Sequence, residues 1–509
     1  MISIKKSATI NGLEGNLVDV EVDIQNGMPA FNIVGLPERS VKESKERIRS
    51  AIKNIGLAFP VRRITVNLAP ADLKKDGSFL DLPIAVAIVE AAGMLTVKLK
   101  DTVIVGELAL NGRLRRLNGI LPIVSSLKKQ GYERIIVPMG NRNEAAVVED
   151  INVIPSPDLS HTLKVLSGEI TPQYHKYEKE SSDREYEFDF EDVKGLELAK
   201  RAMEIAASGG HNVLMIGPPG TGKTMLAKRF MTIMPPLSRG EAIETTKIHS
   251  IRGLLRKDEG LMEIRPFRSP HHTISDAALI GGGRDAHPGE VSLAHNGVLF
   301  LDEFPEFSKK IIEALRQPLE DGYVTVSRAQ STFTYPSRFH LIAAMNPCRC
   351  GYYTDPTHNC SCTSYDIRKY LSRISGPILD RIDIHIEVPR TDFMKLQSDS
   401  MSESSSDIRQ RVESTVEKQN ERYSKLKHIR RNAHLTSRYI KRYCSLDNSS
   451  VSLLKNAVEH YGFSPRSINK IKKVSRTIAD MEGYKDIREE HIAEAVQFRI
   501  LDNKFFYNI

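Results

Sequence analysis

Residues 212–224 read NVLMIGPPGTGKT, and the fold follows from how this stretch is parsed. NVLMI is a short unbroken apolar run, the pattern of a strand buried on both faces. It passes directly into Gly217-Pro218-Pro219-Gly220-Thr221-Gly222-Lys223-Thr224, which has the spacing G-x-x-x-x-G-K-[ST]. Residues 225–234, MLAKRFMTIM, then continue as a helix. A strand feeding a glycine-rich turn and a helix lets successive backbone N–H groups point inward and cradle phosphates. Lys223 adds a compact cation for the β and γ phosphates, and the Thr224 hydroxyl is a hard ligand for Mg²⁺. An α/β core that binds ATP through residues 217–224 is expected.

Working outward, hydrolysis also requires a carboxylate for the metal and another to orient water. Residues 297–303, GVLFLDE, form an apolar strand ending in two acids. Asp302 suits the metal and Glu303 the water. Residues 341–346, LIAAMN, form another apolar strand ending in an amide. Laid beside the Asp302 strand, it would let Asn346 position the lytic water from the opposite side.

The rest of the chain frames this core. At 509 residues, more than one hydrophobic core is needed. Residues 63–68 and 102–105 look like strands, and 40–55 and 82–92 like helices. Residues 106–117 carry Asn111-Gly112 between β-prone runs, a hairpin signal. A polar linker is expected over 169–187. Helical periodicity returns at 449–461, 467–481 and 489–499, after a Ser- and Asp-rich loop at 397–407. The domains expected are 1–168, 188–389 and a helical region 390–509. No stretch approaches the ~20 apolar residues that span a bilayer. The first residues, MISIKKSATI, lack the apolar core of a signal peptide, so a cytoplasmic location without membrane attachment is expected.

The net charge of +8 permits a polyanionic partner. Residues 424–446 contain no acid but carry Lys425, Lys427, Arg430, Arg431, Arg438, Lys441 and Arg442, either a solvated face or a phosphate-contacting one. Four of the five cysteines, Cys348, Cys350, Cys360 and Cys362, fall in CRCGYYTDPTHNCSC. Two C-x-C pairs supply four soft ligands, the set structural Zn²⁺ takes, with His358 as a substitute for one thiol. Unliganded thiols are the alternative.

The order P-loop, acidic strand, strand plus asparagine resembles the AAA+ ATPases. Residues 265–303, 376–388 (GPILDRIDIHIEV) and 475–481 (SRTIADM) closely resemble magnesium-chelatase-like AAA+ proteins of the ComM/YifB group. The resemblance implies an α/β chain: a Lon-protease-like N-terminal domain, an AAA+ αβα core and a C-terminal helical lid. It implies that Arg381, in LDRID, reaches the γ-phosphate held by a neighbouring subunit, and so a homo-oligomer, a hexameric ring. It also implies that Arg466, in FSPR, senses the γ-phosphate from the lid. At Lys470 the family more often has arginine. Two insertions, within 269–289 and at 322–334, would line a pore, with Arg284 and Arg328 contacting phosphates. The adjacent His271 and His272 are expected to point apart and serve structure. KKDGSFLD at 74–81 resembles the Lon segment around its nucleophile. Phe79 then falls at the serine and Leu121 at the lysine, so a protease fold without protease chemistry is implied.

The function implied is ATP hydrolysis driving a ring on DNA, branch migration in recombination or natural transformation. The motor subunit of a metal chelatase, an ATP-dependent protease and a nucleotide-switched scaffold are the alternatives.

Overall fold

A computed structural model describes residues 2–36, 39–73, 75, 78–178, 186–283, 286–328, 331–353, 355–391, 402–426, 428–501 and 505–506. The chain divides into two compact units. One is Met1–Ser181 with Ser238–Glu263; the other is Ser182–Leu237 with Ile264–Ile509. Residues 238–263, which fall inside the span 188–389, therefore pack with the N-terminal unit, where helix Arg239–Ile251 lies on helix Ile120–Lys129.

The first unit is built on a seven-stranded sheet. Its strands run Ala30–Val34, Arg63–Ala69, Glu14–Gln25, Ile2–Asn11, Val103–Ile104, Arg134–Pro138 and Asn152–Ser156 across the sheet. Strict alternation fixes the register. Val20, Val22 and Ile24 pair with Leu68, Val66 and Ile64, so all six bury on one face. Helix Asp81–Ala91, buried over nearly its whole length, packs on the two longest strands. The expected hairpin is present as Glu107–Leu108 paired with Leu114–Arg115, with Gly112 at φ +83°. Phe79 and Leu121 both sit in a single apolar cluster with Val103, Val105 and Ile123. Within the linker, His175 donates its backbone N–H to Val153, and residues 179–185 lie outside the described residues.

The second unit carries a five-stranded parallel sheet in the order Phe267–Arg268, Val298–Leu301, His340–Met345, Val213–Ile216 and Ile384–Glu387. The strand ending at Asn346 thus lies between the P-loop strand and the acidic strand. Every residue of Val213–Ile216 and Val298–Leu301 is buried, which explains their unbroken apolar runs. Parallel strands end on one edge, so the loops after Ile216, Leu301 and Met345 converge there. The insertions are a ladder of Gly281–Gly282 with His287–Pro288 and a hairpin of Tyr323–Arg328 with Ser331–Pro336. Arg284 and the Arg328 side chain lie outside the described residues.

The C-terminal part is helical: Ser405–Tyr423, Ser437–Tyr443, Asn448–Tyr461, Pro465–Met481 and Glu489–Gln497. The loop expected at 397–407 ends early. Ser404 caps a helix that starts at Ser405, while 397–401 lie outside the described residues. Among the described residues no helix is long and apolar enough to cross a membrane.

Candidate nucleotide site and cysteine cluster

The P-loop closes on the N-terminus of helix Lys223–Ile233. Gly220 and Gly222 hold φ of +76° and +89°, a conformation that turns the loop N–H groups inward and that side chains with a Cβ adopt only with strain. The backbone of Gly217 lies so close to the Val388 carbonyl that a Cβ there would meet it at 2.2 Å.

Lys223 is buried and donates to the carbonyls of Gly217 (2.7 Å) and Pro218 (2.8 Å) and to Asn346 Oδ1 (3.2 Å). Burial pulls its ammonium down to about 8, against the attraction of Asp302. Asn346 therefore meets the P-loop lysine directly. Thr224 Oγ1 donates to Asp302 Oδ2 at 2.8 Å, and the other oxygen, Oδ1, accepts the Glu303 N–H at 2.9 Å. Two hard oxygens meeting beside the lysine are the donor set that Mg²⁺ takes.

Glu303 has φ +51°, in the left-handed region, a strained backbone that carries its carboxylate out of the strand into the open. There it meets His272, Nδ1 to Oε2, at 3.1 Å. The rings of His271 and His272 lie 4.1 Å apart, so these neighbours face one another instead of pointing apart. Sequence reasoning set His272 aside, and no local signal in the sequence marks its contact with Glu303.

Arg381 and Arg466 form a separate group. Arg381 pairs with Glu320 and donates to the Pro377 carbonyl, its Nε without a partner among the described residues. Arg466, largely exposed at the start of helix Pro465–Met481, lies 3.5 Å from Asp380. Lys470, one turn further along, reaches the buried Asp383 at 2.5 Å, and Asp383 also accepts the Asn212 N–H at 2.9 Å.

The four clustered cysteines come together, their sulfurs all within 4.8 Å of one another. Cys348 Sγ lies 3.3 Å from Cys350 and 3.7 Å from Cys360, and Cys350 lies 3.5 Å from Cys360. Burial pushes the Cys348 thiol up to about 12. At Cys350 burial acts in the same sense but is outweighed by N–H donors from Tyr352 and Ser361 and by the adjacent thiols, leaving it near 6. His358 is not among the converging ligands; it pairs with Asp355 at 3.3 Å and stacks on Tyr352.

Comparison with known proteins agrees with this architecture. The family description "Magnesium chelatase, subunit ChlI" matches residues 189–396, "Subunit ChlI of Mg-chelatase" matches 20–141, and its C-terminal description matches 402–499. The site and sheet order define a P-loop ATPase of the AAA+ class, for which ATP and Mg²⁺ are the expected nucleotide and metal. More narrowly, the chain belongs to the magnesium-chelatase-like ComM/YifB group. It is 44% identical to competence protein ComM of Haemophilus influenzae over 98% of both chains. To the YifB protein of Escherichia coli it is 42% identical, covering 98% of this chain and 97% of that one. The similarity to the magnesium-chelatase 38 kDa subunit of Cereibacter sphaeroides is 24% and covers 31% of this chain and 53% of that subunit.

Proposed function

We propose that this chain hydrolyses ATP and uses the energy to move or remodel DNA as a homo-oligomeric ring, a hexamer, in the cytoplasm. The observation that carries the reading is the meeting of Lys223, Thr224, Asp302 and Asn346 at one sheet edge, with Glu303 beside them.

In this reading the Lys223 ammonium exchanges the Gly217 and Pro218 carbonyls and Asn346 for β and γ phosphate oxygens. Thr224 and Asp302 hold Mg²⁺, which neutralises developing phosphate charge when bound. Glu303 orients water for attack on the γ-phosphate. Arg381 leaves Glu320 for the γ-phosphate bound by an adjacent subunit, and Arg466 reports on that phosphate from the lid. The DNA reading draws on the full-length similarity to a competence protein, on the net charge of +8 and on the two hairpin insertions. Branch migration of recombining strands is the activity that fits these together. The N-terminal unit is read as a Lon-like fold in which apolar Phe79 and Leu121 replace a Ser–Lys pair, and the four thiols as a structural Zn²⁺ site.

A chelatase motor is the second reading, favoured by the family description itself. The chelatase 38 kDa subunit matches only 31% of this chain, which weighs against it. Phosphate release measured with single-stranded, duplex, forked and four-way DNA separates the two. Stimulation by branched DNA supports the motor; indifference to every DNA overturns it. Loss of nucleotide binding in Lys223→Ala tests the ATP site independently.

A further inference from the structure

The thiol cluster is not remote from the nucleotide site. Cys348 follows Asn346 by two residues, and the loop it opens folds back onto the P-loop. Gly351, at φ +90°, lies so close to Pro219 that a Cβ there would fall 2.8 Å from its Cδ and 2.9 Å from its Cγ. The same loop is tied at a second point, since Asp355 pairs with Arg390 at 2.8 Å. Arg390 lies two residues beyond Val388, whose carbonyl closes on Gly217. Past the last cysteines, helix Ser364–Leu371 places Tyr370 against the backbone of Asn346. The knuckle thus touches the phosphate-binding loop at Pro219, is tied through Arg390 to the segment whose Val388 carbonyl closes on Gly217, and leads into a helix that meets the asparagine facing Lys223.

The sulfur spacings fit a metal. Four thiolates at ~2.3 Å from a tetrahedral Zn²⁺ stand about 3.8 Å from each other; here Cys348, Cys350 and Cys360 are 3.3, 3.5 and 3.7 Å apart, with Cys362 within 4.8 Å of each. Four soft ligands with no hard donor among them select Zn²⁺ or a similar soft divalent ion over Mg²⁺. With all four positions filled by protein, such a site is closed and structural. A loop of this length has no packed core of its own; among the described side chains only Cys348 and Asp355 are well buried in it. Metal ligation is then what fixes its path.

We propose that a thiolate-bound Zn²⁺ in this knuckle braces the P-loop, so that metal loading sets the affinity of the chain for nucleotide. The inference rests on the reading of residues 217–224 as the ATP site. Without metal the Cys348–Cys362 loop loses its fixed shape, Gly351 no longer buttresses Pro219, and the P-loop samples closed and open forms. If the competent form is held a tenth of the time, apparent affinity falls about 10-fold.

The test uses the full chain. Zinc content is measured on protein purified without added metal, and Co²⁺ is exchanged in to read the visible absorption of a tetrahedral thiolate site. Affinity for a fluorescent ADP analogue is then measured at fixed Mg²⁺ in the loaded, chelator-stripped and Zn²⁺-restored chain. Stoichiometric zinc, with affinity reduced about 10-fold on stripping and regained on restoration, is expected. Absence of bound metal, or affinity unchanged by stripping, overturns the proposal. Because stripping can unfold the loop's surroundings, Gly351→Ala provides a second arm. It keeps all four thiols but sets a methyl against Pro219, so zinc should stay stoichiometric while affinity drops; full affinity overturns the brace. Failure of the ATP-site reading looks different, because Lys223→Ala would then leave the affinity of the zinc-loaded chain untouched.

Discussion

Thr224 Oγ1 donates to Asp302 Oδ2 at 2.8 Å, joining the end of the P-loop to the end of the acidic strand. The contact brings two hard oxygens to one point, and the second Asp302 oxygen is occupied by the Glu303 N–H at 2.9 Å. One carboxylate therefore joins the P-loop threonine to the turn that presents the next acid, the point where Mg²⁺ would sit in the proposed reading.

Replacing Asp302 by Asn keeps the turn's shape but removes the charge that offsets Mg²⁺. Turnover should fall about 10²-fold or more, because charge stabilisation in a shielded site is worth several kcal/mol. Steady-state phosphate release across a Mg²⁺ titration checks this. Recovery of wild-type turnover at high Mg²⁺ would confine Asp302 to metal affinity, and an unchanged rate at every concentration would remove it from the site.

Glu303→Gln should leave nucleotide binding intact and lower turnover by about 10²–10⁴-fold, the usual worth of a positioned base. His272→Ala should act less strongly, about 10-fold on turnover, by freeing the Glu303 side chain that now meets the imidazole at 3.1 Å. The informative readout is the double variant. If His272 works only through Glu303, adding His272→Ala to Glu303→Gln costs nothing further; additive losses would assign His272 a separate role.

Lys223 gives a pH dependence. Its ammonium, pulled down to about 8 by burial, is mostly charged at pH 7 and mostly neutral at pH 9. Only the charged form attracts phosphate, so nucleotide affinity should fall about 10-fold across that range, and binding at pH 8 should take up protons. Calorimetry in buffers of different ionisation enthalpy measures both. Lys223→Arg, always charged, should lose the slope. A flat wild-type profile would show that the lysine remains ordinary.

How much of this was readable beforehand depended on whether chemistry and position sit together in sequence. The P-loop, Asp302, Glu303 and Asn346 each follow a strand whose apolar run is buried, so that run marks where the polar residue must emerge. Contacts made by loops carry no such marker. The path that brings His272 to Glu303, and the approach of Gly351 to Pro219, depend on how insertions fold back. Nor does periodicity reveal that helix Arg239–Ile251 packs with the N-terminal unit, because its buried face looks the same whichever core receives it. At Lys470 the sequence lacks the family's more usual arginine, and the partner the structure gives it, the buried Asp383, could not be read from the residue alone.

That pair has a testable stability signature. Burial alone would raise the Asp383 carboxyl, but Lys470, with His211, holds it well below its usual range. A depressed carboxylate contributes stability above the unfolded value near 4, and loses it as pH falls through and below that value. Lys470→Ala strips the partner from a buried charge and should cost about 3–5 kcal/mol near neutrality. Thermal midpoints between pH 7 and 3 should show the gap between wild type and variant narrowing. Acid protonates the variant's Asp383, stripped of Lys470, and the carboxyl of the unfolded chain, while the paired native carboxylate stays charged. A constant gap would mean that Lys470 contributes through packing of its stem alone.

Arg381 supplies the sharpest test of the ring. Within one chain it is held by Glu320 and the Pro377 carbonyl, with no partner for Nε among the described residues, an arrangement suited to a guanidinium that changes partners on assembly. Arg381→Ala should therefore bind nucleotide normally and hydrolyse it about 10³-fold more slowly, the scale of a trans arginine. Glu303→Gln chains are dead for a different reason, lacking the base but keeping Arg381. When the two variants are mixed, an Arg381→Ala subunit with an intact Glu303 can sit against a Glu303→Gln subunit with an intact Arg381, and that junction carries a complete site. Mixing should regain a fraction of wild-type turnover that varies with the ratio of the two chains. If Arg381 acted on nucleotide bound by its own chain, no mixture would exceed the inactive parents, and the case for an obligatory ring would lose its main chemical support.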